Sequence, residues 1–362
     1  MRFPHSKTRH LTHAGWAILA LALGGFGIGT GEFIIMGLLP GVAQSLKITE
    51  PQAGNAIASY ALGVVVGAPV LAVFAARMAR KHLLLLLMAA FFVGNTASAL
   101  VNNYHGLIIA RFFTGLPHGA YFGVASLVAA SLVPAERRGR ALSALMLGLT
   151  VATLLGVPLG SWVGQVFNWH VVFGFVGVIG LITCALIQAF VPYVEGDDDA
   201  HPLRELGALK NTKVLLTLLV GAISFGGMFS VFSYIAPTPE NVAGMQPALI
   251  SWAMAAFGLG MIAGNLAGGR LAEKGVLRTI GWSLLWNILI MAAFPLLAHN
   301  VSTAIFATFL IGTSSVLLPA LQIRLMDVAK DSQTLAAAMN HSALNIANAM
   351  GAYLGGMTIT LG

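Results

Sequence analysis

Apolar residues fill this chain in long runs, each ended by a short polar stretch. The runs cover roughly 16–39, 54–76, 82–101, 106–130, 141–164, 171–191, 214–236, 249–269, 279–298, 302–323 and 335–361. A helix needs about 20 such residues to cross the hydrocarbon core of a bilayer. None of the runs alternates strictly, each is too long for a membrane β-strand, and a helix satisfies all its own backbone groups in lipid. The pattern predicts eleven membrane-crossing helices in an all-α polytopic protein. At the start, Arg2, Lys7 and Arg9 precede an apolar stretch containing Ala20-Leu21-Ala22, which superficially resembles a signal peptide. That run continues unbroken to Leu39 and further spans follow, so the first helix is expected to be retained.

Composition narrows the class. Of 362 residues, 57% are hydrophobic and 9% charged, against about 25% charged in soluble domains. A soluble enzyme is excluded, and so is intrinsic disorder, which needs the opposite balance. The single cysteine, Cys184, excludes an internal disulfide and a cysteine-rich metal site. The net charge of +7 does not signal nucleic acid. Of the 19 basic residues, all but Lys47 and Arg111 fall in the N-terminal tail or in alternate connections: Arg77, Arg80, Lys81; Arg137, Arg138, Arg140; Arg204, Lys210, Lys213; Arg270, Lys274, Arg278; Arg324, Lys330. The positive-inside rule puts the N-terminus and these clusters in the cytoplasm.

The longest polar connection, Pro192 to Lys213, divides the chain into an N-terminal six-helix half (1–191), a cytoplasmic linker (192–213) and a C-terminal half (214–362). It holds Asp197-Asp198-Asp199 and an amphipathic piece, Leu203 to Lys210, and is expected to be solvated with a short interfacial helix. Small residues recur every fourth position at Gly148, Ala152, Gly156, Gly160 and Gly164, and again at Ala343, Ala347, Gly351 and Gly355, displaced by 195 (343 − 148). The connection starting at Ala72 has a partner starting at Gly269, displaced by 197 (269 − 72). Repeated halves are a common build of secondary transporters.

These features together resemble the major facilitator superfamily, in its drug:proton antiporter branch of arabinose-efflux-permease-like exporters. The family's loop motif, Gly-x-Leu-Ala-Asp-Arg-x-Gly-Arg-Lys, survives in part as Arg77, Arg80 and Lys81, with Ala72, Ala76 and Ala79 replacing Gly, Asp and Gly. The second copy keeps Gly269, Leu271 and Ala272, with Glu273 for Asp and Lys274 for Arg. Leu107-x-x-x-Arg111-x-x-Thr114-Gly115 is similar to the embedded arginine motif, and Gly156-Val157-Pro158-Leu159-Gly160 to the antiporter signature with one residue inserted. Gly31 to Pro40 resembles the first-helix signature of this exporter branch. The resemblance implies a major facilitator-type fold, two pseudo-repeated halves around a central cavity. The family has twelve helices, so a chain ending at Gly362 is expected to lack the last.

Glu32 is the one carboxylate inside a predicted span and Arg111 the one basic residue. A charge at the bilayer centre costs about 2.5–3.5 kcal/mol, so such residues face a cavity or each other. One reading is a buried ion pair that only fixes packing. The other has Glu32 taking the coupling proton while Arg111 modulates it. His118, seven residues after Arg111 on the same face, is either a packing residue or a proton relay. His341, Asn345 and Asn348 form a polar stripe that lines either the cavity or a helix contact. Phe225, Met228, Phe229, Phe232 and Tyr234 form either a soft apolar substrate wall or simple packing. Gly24, Gly25, Gly27, Gly29 and Gly31 predict close helix contacts, and Pro158 a bend.

The sequence therefore predicts an inner-membrane secondary transporter, not an enzyme: a monomer that needs no cofactor and moves a small organic compound (sugar, nucleoside or drug) out by alternating access on a proton gradient. An uncoupled or importing facilitator is the alternative. A membrane enzyme or receptor is more remote, since no nucleophile, metal or ATP constellation lies within the spans and no soluble signalling module is present.

Overall fold

The computed structural model describes residues 6–75, 78–193, 205–233 and 242–361. Arg77, Arg204, Tyr234 and the Asp197 to Asp199 run lie outside these residues. The helices are α1 (Ser6–Leu46), α2 (Glu50–Ala75), α3 (Arg80–Leu100), α4 (Tyr104–Ser131), α5 (Arg138–Val151), α6 (Val157–Val166), α7 (Trp169–Phe190), α8 (Thr212–Ser233), α9 (Pro247–Lys274), α10 (Val276–Leu297), α11 (Val301–Gly312), α12 (Leu317–Ala329) and α13 (Gln333–Leu361). A π turn at Ala152–Gly156 joins α5 to α6, and a 3-10 turn at Thr313–Val316 joins α11 to α12. Among the described residues the helices thus form eleven rods, as the apolar runs predict.

Among the described residues, eight rods are long and apolar enough to cross a membrane by length and composition alone. The more polar α4, α9 and α13 carry Arg111 and His118, Asn265 and Arg270, and His341 and Asn345. Their polar groups are affordable in a bilayer because the bundle interior covers most of them.

Some rods differ from the sequence reading. α1 runs through Pro40 to Leu46 rather than ending near 39, and the tenth rod continues to Ala329 rather than 323. Pro158, expected to bend the fifth rod, is the second residue of α6, one residue past the π turn. Its missing N–H leaves the Leu154 carbonyl without a helical donor, and a wider turn accommodates that local break.

The linker differs from the expectation in its described part, 205–213. There a 3-10 turn, Leu206–Lys210, is docked on the bundle rather than solvated. Ala208 is fully buried. The Leu335 amide donates to Glu205 Oε2 (2.9 Å), and Asn211 Nδ2 donates to the Val328 carbonyl (2.8 Å). Burial raises the Glu205 carboxyl above its ordinary value, while the Leu335 amide, the Thr334 hydroxyl and Arg80 pull it back down.

Glycine contacts repeat between the halves. A Cβ at Gly63 or Gly67 of α2 would meet the carbonyls of Phe112 or Leu116 on α4, and one at Gly115 would meet the Tyr60 carbonyl. In the second half, Gly260 and Gly264 face the carbonyls of Phe309 and Thr313, and Gly312 faces that of Phe257. Each residue is displaced by 197 (260 − 63) from its counterpart. Gly156 likewise packs on Thr30 of α1, and Gly351, 195 residues later (351 − 156), packs on Gly226 of α8. Small residues at these positions let helix backbones touch. The α1 glycines behave as expected, Gly25 against Phe122 and Gly29 against Leu149.

The halves meet most closely at the end carrying Arg137, Arg138, Lys274 and Arg324, the basic end. There Gly139 and Gly269 each approach the other's carbonyl. Arg140 Nε donates to Glu273 Oε2 (3.0 Å) and the Arg140 amide to Oε1 (3.1 Å). Ser143 Oγ donates to the Asn265 carbonyl (2.8 Å), and Asn265 Nδ2 returns a bond to the Ser143 carbonyl (2.9 Å). Gln322 Nε2 donates to Ser126 Oγ (2.9 Å). Among the described residues, the hydrogen bonds joining the halves lie at this end or at mid-bundle.

Candidate functional site

Midway along the bundle, α1, α4, α5 with the π turn after it, α8, α9, α12 and α13 enclose a narrow cavity. Its volume is about 40 Å³, room for no more than a water or two. Glu32 is the acid in its wall, opposite Phe225, Met228 and Phe229, and His118, His341 and Asn345 face the same space. Phe232, Phe257 and Met261 complete the apolar side. The sequence candidates on α8 and α13 therefore converge on Glu32, although Asn348 is half-buried and does not reach the cavity. Asn345 lies beside the Glu32 carboxyl and also donates to the His341 carbonyl (3.0 Å).

Arg111 does not pair with Glu32. Among the described residues the one ion pair is Arg140–Glu273, and none of the Arg111 guanidinium nitrogens has a hydrogen-bond partner. The guanidinium instead lies over the Tyr60 ring at 4.3 Å and near the Phe173 ring at 5.3 Å. The quadrupoles of the two rings attract the cation, and more strongly in a desolvated site. The side chain is fully buried.

Tyr60 also holds the histidines, and the sequence reading missed it. Its hydroxyl is 3.0 Å from His118 Nδ1, and His118 Nε2 is 3.2 Å from His341 Nδ1. The chain Arg111–Tyr60–His118–His341 crosses from α4 through α2 to α13, joining the two halves. The His341 ring stacks on Phe122 with centroids 4.0 Å apart and planes 13° from parallel. Its Nε2 is buried without a partner from the protein. The available signal was a hydroxyl-bearing ring near the start of the second apolar run.

The remaining sequence candidates lie elsewhere. Gly156 and Gly160 pack on Thr30 and Ile34 of α1. Arg80 and Lys81 open α3, where Lys81 Nζ donates to the Gln188 carbonyl (2.8 Å). Gly269, Glu273 and Lys274 end α9, the first two in the closure of the basic end. Among the described residues, no group of three or more His, Cys, Asp or Glu side chains converges as a metal site.

Comparison with known proteins accounts for this architecture. The family model described as "Major Facilitator Superfamily" matches residues 21–247 and again 218–362. The inner membrane transport protein YdhP of Escherichia coli (strain K12) is 37% identical over 350 residues, 96% of this chain and 90% of that protein. The chloramphenicol resistance protein of Streptomyces lividans is 32% identical over 353 residues, 94% of this chain and 88% of that protein. Among solved structures, the proton:xylose symporter XylE bound to 6-bromo-6-deoxy-D-glucose superposes with a TM-score of 0.72 at 14% identity, over 97% of this chain and 90% of that one. Two overlapping model matches that together span residues 21–362, and relatives over nearly the full length, lead to one conclusion: this chain is a membrane transporter of the major facilitator superfamily.

Proposed function

We propose that the protein exports a small organic compound against its gradient by exchanging it for protons. The supporting observation is the placement of Glu32, a lone carboxyl in the wall of a cavity lined by residues of both halves. A carboxyl there can carry a proton in one conformation and release it in another, because moving a charge or a dipole beside it changes the cost of ionisation. Arg111, buried and without an acceptor, is the cation that Glu32 meets in another state of the cycle. In this reading the halves, 1–191 and 214–362, rock about the cavity, with 192–213 as the tether. The N-terminus and basic end face the cytoplasm of a bacterium. With that end tied shut, the conformation is closed to the cytoplasm. The protein works as a monomer in the inner membrane.

The chloramphenicol resistance relative favours efflux of drug-like compounds, with sugars and nucleosides the other classes to be tested. The test is transport by purified protein in liposomes under an imposed pH gradient, with chloramphenicol, a hexose and a nucleoside as substrates. The proposal expects uphill movement of one of them, accompanied by counterflow of protons. Movement indifferent to the pH gradient contradicts it.

A further inference from the structure

The cavity is apolar on the α8 and α9 side, and His341 Nε2 stands out within its wall. This nitrogen belongs to a buried ring, has no partner from the protein, and sits on a residue that lines the space. A buried polar atom left unpaired costs about 1–3 kcal/mol. The ring cannot turn away to relieve that cost, because it is clamped between the Phe122 face and the His118 bond.

We propose that His341 Nε2 is the polar anchor of the substrate site, and that the substrate is an uncharged aromatic amphipath bearing a hydroxyl or amide. The inference rests on the cavity being the transport site, widened in another state of the cycle from the 40 Å³ of this closed one. Phe225, Phe229, Phe232 and Phe257 offer ring faces and Met228 and Met261 adaptable sulfur. Among the described residues, no lysine or arginine lines the cavity to hold an anion.

The hydrogen-bonded chain lets one nitrogen serve either kind of polar group. With both rings neutral, two arrangements satisfy the geometry. In the first, Tyr60 donates to His118 Nδ1, the His118 Nε2 proton is donated to His341 Nδ1, and His341 Nε2 carries a proton towards the cavity. In the second, each ring has moved its own proton to Nδ1. His341 then donates to His118 Nε2, His118 donates to the Tyr60 oxygen, and His341 Nε2 is a bare acceptor. Tyr60 keeps its proton throughout, and no net charge moves. The anchor thus pairs with a carbonyl in one arrangement and a hydroxyl in the other, while Tyr60 and His118 act as positioning residues.

The probe is chloramphenicol, an uncharged nitrophenyl compound with hydroxyls and an amide, and the measurement is binding to purified protein without any proton gradient. His341→Phe keeps the ring stack and should weaken binding about tenfold. Para-nitrotoluene, which keeps the ring and lacks the polar groups, should lose no more than about twofold. In wild-type protein with 15N-labelled histidine, chloramphenicol should shift the His341 Nε2 resonance, so the test survives a variant that fails to fold. Tyr60→Phe should leave that resonance split between both arrangements before ligand is added. An unmoved resonance, no binding to wild type, or binding of tetraphenylphosphonium in preference to chloramphenicol overturns the proposal. Binding that depends on His341 with transport that ignores the pH gradient removes the proton coupling and leaves this inference standing.

Discussion

Arg140 and Glu273 clasp the two halves together at the basic end, the arginine donating from both its backbone amide and its guanidinium to one carboxylate. The Arg140 side chain is 63% exposed, so this bond contributes less than about 1 kcal/mol. That is still enough to shift a balanced conformational equilibrium severalfold. Glu273→Gln should increase opening of the basic end with little change in melting temperature. Spin-label distances across the closure, from α5 to α9, check it. An unchanged distance distribution means the glycine contacts and the Ser143–Asn265 and Gln322–Ser126 bonds hold the closure without the ion pair.

The Gly156 contact predicts a packing defect rather than a change in chemistry. A leucine there drives into Thr30 of α1, and overpacking of this kind costs about 1–3 kcal/mol. Gly156→Leu should lower the yield of folded protein or its melting temperature, and Gly351→Leu in the repeated position should do the same against α8. Wild-type transport by either variant contradicts the reading of these helices as close-packed.

Much of the fold is legible in the sequence because lipid imposes a length and a composition on every span. The eleven runs, the alternation of basic clusters and the 197-residue displacement all follow from local patterns. The site is less legible. Glu32 and Arg111 stand out as charges in apolar runs, but whether they pair depends on side-chain reach between helices, and Tyr60 captures the guanidinium instead. Tyr60 itself looks like one more aromatic until α2 and α4 are brought together through Gly63 and Gly115. The docking of the linker was hidden because Glu205 meets Leu335, 130 residues away.

Glu205 should make that docking sensitive to pH. Its carboxyl is raised above the ordinary value of 4.5 by burial, so the docked state binds its proton more tightly than the undocked one. The stabilising effect is fully present below that ordinary value and is lost as pH rises through the raised one. Hydrogen exchange at the Leu335 amide should accelerate across that window beyond its intrinsic base-catalysed rise. Glu205→Gln should remove the excess, and an identical profile in the variant counts against the assignment.

Arg111 separates function from stability. A buried cation without an anionic partner is a poor contributor to stability, so Arg111→Ala loses ring contacts while relieving desolvation. The melting temperature should change little and transport should fall at least tenfold. A large loss of folded protein with residual transport per molecule at wild-type level would make Arg111 a packing residue.

The most direct test is Glu32→Gln in liposomes, with substrate-induced proton release and uphill transport measured on the same preparation. Glutamine keeps the shape of the protonated acid and removes a charge that is costly in the bilayer. The variant should insert and fold as well as wild type, release no protons when substrate is added, and lose uphill export while downhill exchange persists. Undiminished proton release from Glu32→Gln would contradict the account and place the coupling proton on another group.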